Sequence, residues 1–355
     1  MTELETLIGE LVAEQGPMPL DRYMALCLGH PRFGYYMSRD PFGERGDFTT
    51  APEISQMFGE LVGVWAMAVW REMGSPSPFA LVELGPGRGT LMSDLLRAAK
   101  AMPEFLNAAQ INLVETSPVL RGMQEELIGS ERAVWHEALT TLPESPSIII
   151  ANEFFDALPV KQFEHRGGKW FERCVGFEEE KLTIGHAPAA MPERFDAFAY
   201  DGAIVEDSPA RDSVAEEIAS MARAYKTAAL IIDYGHETRA PGDTLQAMRA
   251  HKFVPVLHEP GNCDLTAHVD FESLASALRR GGVSVSPVTT QRSFLINMGL
   301  EERAERLSAT ASEEQKADIA AAVKRLAGPG DMGNLFKAIC AVSPGLTMPF
   351  PFAAS

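Results

Sequence analysis

Phe79 to Leu91 reads FALVELGPGRGTL: an apolar run broken by one glutamate, then three glycines two residues apart, then a helical pattern that continues to about Met102. Apolar runs without alternation belong to strands covered on both faces, as in a parallel sheet flanked by helices. The same strand–helix alternation recurs downstream. INLVE (111–115) precedes a helix near Pro118 to Ile128, and AVWHE (133–137) and SIIIANEF (147–154) follow. The alternation breaks at 160–200, where KQFEHRGGKWFERCVGFEEEKLTIG (161–185) predicts two or three antiparallel strands about a Gly167-Gly168 turn. A helix from about Ala210 to Tyr225 leads into AALIIDYG (228–235), and 236–268 reads as a loop. A helix Asp270 to Arg280, a strand VSVSPVTTQ (283–291), a helical stretch at about 299–327 and a strand FKAICAVS (336–343) complete the pattern. This is an α/β fold with a seven-strand core and an antiparallel insertion before the fifth strand.

Upstream, residues 1–75 are rich in helix. Thr2 to Ala13 puts Leu4, Leu7, Ile8, Leu11 and Val12 on one face, and a second helix runs from Ser55 to Met73. Between them, HPRFGYYMSRDPFGERGDFTTAPEIS (30–55) has too many turn residues for a long helix and too many aromatics for a linker. The expected organisation is an N-terminal helical cap at 1–75, the core at 76–164 and 227–345, and an insertion of hairpin plus helix at 165–226. Val62, Val64, Trp65, Val69 and Trp70 on the second helix read as core, with a homodimer face as the alternative.

The chain has 355 residues, with 31 Lys and Arg against 49 Asp and Glu, a formal net charge of −18. Its 46% hydrophobic and 23% charged residues describe a globular chain and exclude wholesale disorder. The acidic balance argues against nucleic acid as a partner and leaves room for a basic protein partner. Cys27, Cys174, Cys263 and Cys340 lie far apart with no CxxC pair, so neither a metal site nor a disulfide framework is expected. The acidic N-terminus reads as neither signal nor transit peptide, and runs such as IIIA and AALII fall far short of the ~18 apolar residues of a membrane span. A cytoplasmic location and no membrane insertion are expected.

Glycines at the end of a parallel strand allow close approach of backbone to a ligand, at the sheet edge where α/β folds bind one. The loop lacks the GK[ST] of a phosphate loop, and its G-x-G-x-G spacing differs from the dinucleotide fingerprint G-x-G-x-x-G. Glu83, two positions before Gly85, would repel a pyrophosphate and suits the ammonium and sulfonium of S-adenosylmethionine. Glu115 after the second strand can accept from both ribose hydroxyls, a role shared with NAD sites. His136 and Glu137 follow the third strand, where adenine would lie; a core or surface histidine is the plainer reading. After the fourth strand stands Asn152-Glu153-Phe154-Phe155-Asp156, where an N-cap would explain Asn152 and Asp156 but not the aromatics.

These residues are recognisable together. GDFTTAPEISQMFGELVG (46–63), ELGPGRGTL (83–91), ANEFFDALPVKQF (151–163), LIIDYGH (230–236), GDTLQA (242–247), DLTAHVDF (264–271) and MGNLFKAI (332–339) occur in this order. The chain thereby resembles the MidA family of class I S-adenosylmethionine-dependent methyltransferases, over almost its whole length. The resemblance implies a seven-strand Rossmann-like methyltransferase sheet, S-adenosylmethionine as cofactor, and arginine on a protein as substrate. In the mitochondrial relative that arginine belongs to a core subunit of respiratory complex I, whose assembly the family supports. The resemblance also implies that Gly85, Gly87 and Gly89 form the loop at the methionine end, with Glu115 on the ribose. His136 and Glu137 would lie by the adenine, and Asn152 and Glu153 by the methyl group.

An arginine nucleophile with a pKa above ~12 needs carboxylates that hold its guanidinium and draw charge from the attacking nitrogen. Glu53, Glu153 and Asp156 are the candidates, with Glu53 carried by an aromatic segment expected to close over the cofactor. Glu53 could equally be a first-turn helix residue after Pro52. Gln56, Asp233 and His268 are secondary candidates without an assigned role. The competing readings are a non-catalytic assembly chaperone with a vestigial pocket, a small-molecule methyltransferase, and a nucleotide-dependent oxidoreductase, which the glycine spacing and Glu83 disfavour.

Overall fold

The computed structural model describes residues 2–38, 49–179, 181–191 and 193–352. By compactness the chain forms two units. One comprises Met1–Phe48, Asp156–Ser213 and Thr238–His268; the other comprises Thr49–Phe155, Val214–Glu237 and Val269–Ser355. This grouping crosses the boundaries at 75 and 165 expected from the sequence. Residues 39–48 of the aromatic segment lie outside the described residues, and with them part of its expected closure over the cofactor.

The larger unit holds the sheet. Its strands are β1 (Phe79–Leu84), β2 (Ala109–Val114), β3 (Ala133–His136), β4 (Ser147–Asn152), β5 (Thr227–His236), β6 (Ser284–Val285) and β7 (Phe336–Val342), in spatial order β6-β7-β5-β4-β1-β2-β3. The strands from β5 to β3 pair in parallel, and β7 runs antiparallel between β5 and β6. Two further strands, Val269–Asp270 and Thr289–Thr290, pair off this path with β5 and β7. The α/β methyltransferase architecture expected from the sequence is therefore present. VSVSPVTTQ is shorter than expected as a strand, because only its two ends pair. Pro287 sits between them and has no N–H for a ladder.

The helices that frame the site are α1 (Ala51–Ile54), α2 (Gln56–Glu72), α3 (Thr90–Ala98) and α4 (Pro118–Ile128). On α2, Val62, Trp65, Val69 and Trp70 are buried within the chain, as the core reading expected, while Val64 is exposed. Gly59 and Gly63, one turn apart, face α3. A Cβ at Gly59 would come 2.7 Å from the Asp94 Cβ, and one at Gly63 would come 3.1 Å from the Leu95 Cα. A side chain at Gly59 would force the two helices to shift, and one at Gly63 would crowd them. Glu60 of α2 is buried, and its carboxylate accepts from Arg97 (3.1 Å) and from Arg303 Nε (2.7 Å) and Nη2 (3.1 Å). Without such donors a buried carboxylate would be strongly destabilising. The helical stretch at 299–327 is two helices, Leu300–Ser308 and Glu313–Ala327, the second started by a capping box between Ser312 and Gln315.

The smaller unit contains helices Glu3–Gln15 and Leu20–Gly29, the second of which the sequence reading missed. Its five-stranded antiparallel sheet orders Met18–Pro19, Lys169–Glu178, Lys161–Arg166 and Ile204–Asp207, with Lys181–Pro188 also on Lys169–Glu178. The expected turn falls at Gly167 and Gly168, with φ of +54° and +79°. The segment 236–268, expected as a loop, instead forms a three-stranded sheet from Gln246–Arg249, Lys252–Val254 and Asp264–Thr266. Those strands have three or four residues each, too short for period-2 patterning to register. No helix among the described residues is long and apolar enough to cross a membrane.

Candidate functional site

Strand register assembles the site. Leu84 of β1 lies opposite Val114 of β2 and Ala151 of β4; Val114 lies opposite His136 of β3, and Ile232 of β5 opposite Asn152. The residues that follow the ends of β1 to β4, Gly85, Glu115, Glu137 and Glu153, therefore leave the sheet at one edge, the carboxyl edge of its parallel strands, while Asp233 is still within β5, paired with Lys337 of β7. Backbone bonds extend the register by one step, from Gly85 N to Val114 O (3.0 Å), Glu115 N to His136 O (2.9 Å) and Glu153 N to Ile232 O (2.9 Å).

Gly85, Gly87 and Gly89 have φ of +60°, +55° and +85°, the left-handed region that side chains disfavour. Gly89 is the N-cap of α3. A Cβ at Gly85 would come 2.9 Å from Phe154 Cδ2, so the aromatic ring after Glu153 closes directly on the loop. Glu115 accepts from Ser117 N (2.8 Å) and Gln124 Nε2 (3.1 Å), and burial pushes its carboxyl above the usual range. Glu83 is fully buried. Burial pushes its carboxyl up to about 8, with the Glu115 charge adding to the rise and the Met92 N–H opposing it. Near neutral pH it is mostly protonated, and a neighbouring cation would favour its ionised form.

At the end of β4, Glu153 has φ of +51°, a conformation that costs a residue with a Cβ roughly 1–2 kcal/mol. Asp233 holds it there: its Oδ2 accepts from Phe154 N (3.1 Å) and Phe155 N (2.9 Å), and its Oδ1 from Tyr234 N (2.9 Å). Asp233, a secondary candidate, thus fixes the backbone that follows Glu153. Glu153 Oε1 accepts from Asn152 Nδ2 (3.1 Å) and from Ala51 N (2.8 Å), the first residue of α1. Glu53, on that same short helix, accepts from Thr90 Oγ1 (2.5 Å) and Arg88 Nη1 (3.2 Å) of the glycine loop. The structure therefore brings Glu53, Glu153, Asn152 and the glycines together. Glu53 is both a first-turn helix residue and a neighbour of the glycine loop.

The remaining candidates fall as follows. Both ring nitrogens of His136 have protein partners, Nε2 with Asn112 Oδ1 (2.9 Å) and Nδ1 with Thr141 Oγ1 (3.0 Å), and burial lowers its pKa. Glu137 is exposed, as is Gln56 at the start of α2. Asp156 and His268 belong to the other unit. There Asp156 is buried and its carboxyl is pushed up to about 6 by burial, against the pull of Arg211, whose guanidinium donates to the carbonyls of Ala267 and His268. The sequence reading missed Gln124, a buried side chain that bonds to the Gly87 carbonyl (2.6 Å); it lies on a helix with no motif of its own.

The site can be tested for fit to S-adenosylmethionine. Glu83 Oε2 and Asn152 Oδ1 are buried and have no hydrogen-bond partner among the described residues, on neighbouring strands at the carboxyl edge. Asn152 Oδ1 is an acceptor, and Glu83 becomes one at both oxygens in its ionised form, so both suit a donor or a cation. The ligand's ammonium and sulfonium meet that need, the three left-handed glycines allow its approach, and Glu115 stands at the strand end where a ribose is held. The residues fit the group.

The comparisons with known proteins agree. Residues 61–289 match a family model described as "putative S-adenosyl-L-methionine-dependent methyltransferase". The chain is 37% identical to the mitochondrial protein arginine methyltransferase NDUFAF7 homolog of Drosophila melanogaster, over 94% of this chain and 83% of that protein. It is 37% identical to mitochondrial protein arginine methyltransferase NDUFAF7 of Mus musculus, over 92% of this chain and 81% of that one. It is also similar to a Burkholderia thailandensis crystal structure bound to S-adenosyl-homocysteine, with a TM-score of 0.86 and 28% identity over 98% of this chain and 93% of that one. The expected cytoplasmic location is corrected by the curated relatives, which are named as mitochondrial proteins.

Proposed function

Because the chain belongs to the family of S-adenosyl-L-methionine-dependent methyltransferases that its residues 61–289 match, we propose that it methylates an arginine side chain of a protein. The substrate protein in this reading is a subunit of respiratory complex I, and the modification supports assembly of that complex. The observation that carries the arginine assignment is the carboxylate pair Glu53 and Glu153 beside the glycine loop, one of which already accepts a guanidinium, that of Arg88. The names of the curated relatives support the same substrate class.

S-adenosylmethionine supplies the methyl group as an electrophilic carbon on a cationic sulfur. Glu153, with Glu53, holds the substrate guanidinium by charge-assisted hydrogen bonds and draws its positive charge away from the attacking nitrogen. The two carboxylates would orient that nitrogen toward the methyl group, and one of them would take up the proton that the nitrogen releases on transfer, with the sulfur leaving as the neutral thioether. Phe154, packed on Gly85, keeps water from the reacting atoms. Alignment of this kind can supply several kcal/mol of barrier reduction.

Mass spectrometry of complex I subunits from cells with and without this gene tests the proposal. The expected result is one arginine whose methylated form disappears with the gene. Identical arginine methylation in both would contradict it.

A further inference from the structure

Gln124 is fully buried on α4 and makes three hydrogen bonds to three separate parts of the chain. Its Nε2 donates to the Gly87 carbonyl (2.6 Å) and to Glu115 Oε2 (3.1 Å), and its Oε1 accepts from Trp135 Nε1 (2.8 Å). The orientation of the amide is fixed by its partners. An indole N–H can only donate, and a carbonyl can only accept; the carboxylate also accepts when ionised. A glutamate here would set an acceptor against two acceptors, and a leucine would leave the Trp135 N–H and the Gly87 carbonyl without their partner. Helix and loop are also in close contact, since a Cβ at Gly89 would come 3.3 Å from Gln124 Cγ and 3.1 Å from Ile128 Cδ1.

We propose that Gln124 is a positioning residue for the cofactor, setting the separation between the loop that takes the methionine end and the carboxylate that takes the ribose. This rests on the placement of S-adenosylmethionine at Gly85–Gly89 and Glu115. The two groups bind opposite parts of one ligand, so an error in their spacing cannot be relieved by moving the ligand. The Gln124 N–H also opposes the rise that burial imposes on the Glu115 carboxyl, and so favours the ionised ribose acceptor.

The test is the Kd for S-adenosylhomocysteine, measured by calorimetry on the full chain for wild type, Gln124→Met, Glu115→Gln and the double variant, with thermal unfolding alongside. Gln124→Met conserves volume and is expected to weaken binding by ~10-fold or more, and Glu115→Gln by at least as much. The double variant is expected to fall at least ~5-fold short of the product of the two losses, because the two side chains act as one unit. A merely structural role would leave the losses multiplicative. Multiplicative losses, or wild-type Kd in Gln124→Met, overturn the proposal while leaving the cofactor placement standing. Wild-type binding in Glu115→Gln overturns both. If Gln124→Met does not fold, Trp135→Phe removes only the indole donor that orients the amide. It is expected to weaken binding by ~3-fold or more, and unchanged Kd there overturns the proposal.

Discussion

Glu153→Gln is expected to lower methyl transfer by on the order of 10³-fold while the Kd for S-adenosylmethionine stays within ~3-fold of wild type. The amide oxygen of glutamine can keep the bonds that Glu153 Oε1 accepts from Ala51 N and Asn152 Nδ2, so α1 and the end of β4 stay in place. What is lost is the negative charge. A neutral amide no longer offsets the guanidinium charge or steers its attacking nitrogen, and the loss appears in the chemical step, as it should for an interaction that matters most in the transition state. Initial rates of tritium transfer from labelled S-adenosylmethionine to protein, read beside calorimetric Kd values, separate the two effects. Wild-type turnover would remove Glu153 from the mechanism.

Gly87→Val is expected to eliminate cofactor binding, with at least ~100-fold loss in affinity for S-adenosylhomocysteine by calorimetry. The backbone at Gly87 has φ of +55°, which a β-branched residue adopts only with strain. If the loop relaxes to relieve that strain, the Gly87 carbonyl leaves Gln124, and the hold on Glu115 goes with it. If it does not relax, the isopropyl group stands where the methionine end is placed. Both routes end in loss of binding, and unchanged affinity would refute this placement of the cofactor.

Much of this was legible in the sequence because it rests on local signals. The buried strands β1, β2, β4 and β5 announce themselves by short, largely apolar runs, and the glycine loop by its position between strand and helix. Parallel register then brings Glu115 and Glu153 to one edge without further information, since equivalent strand ends align. What stayed hidden depends on contacts between distant residues. Gln124 bonds to a carbonyl 37 residues away and Asp233 to N–H groups 78 and 79 residues away, and neither distance leaves a trace in composition or periodicity. The pairing of Met18–Pro19 with Lys169–Glu178 was hidden for the same reason. His136 illustrates a subtler limit: its place at the end of β3 was expected, but only the structure shows both its nitrogens committed to Asn112 and Thr141.

The central claim is that the loop of Gly85, Gly87 and Gly89, with Glu115, forms the S-adenosylmethionine site. Its most direct test is a crystal structure of this chain with S-adenosylhomocysteine. The account predicts ribose hydroxyls within hydrogen-bond distance of the Glu115 carboxylate and the homocysteine end against Gly85–Gly89. A nucleoside bound elsewhere, with no ribose hydroxyl on Glu115 and its bonds to Ser117 and Gln124 unchanged, would contradict it.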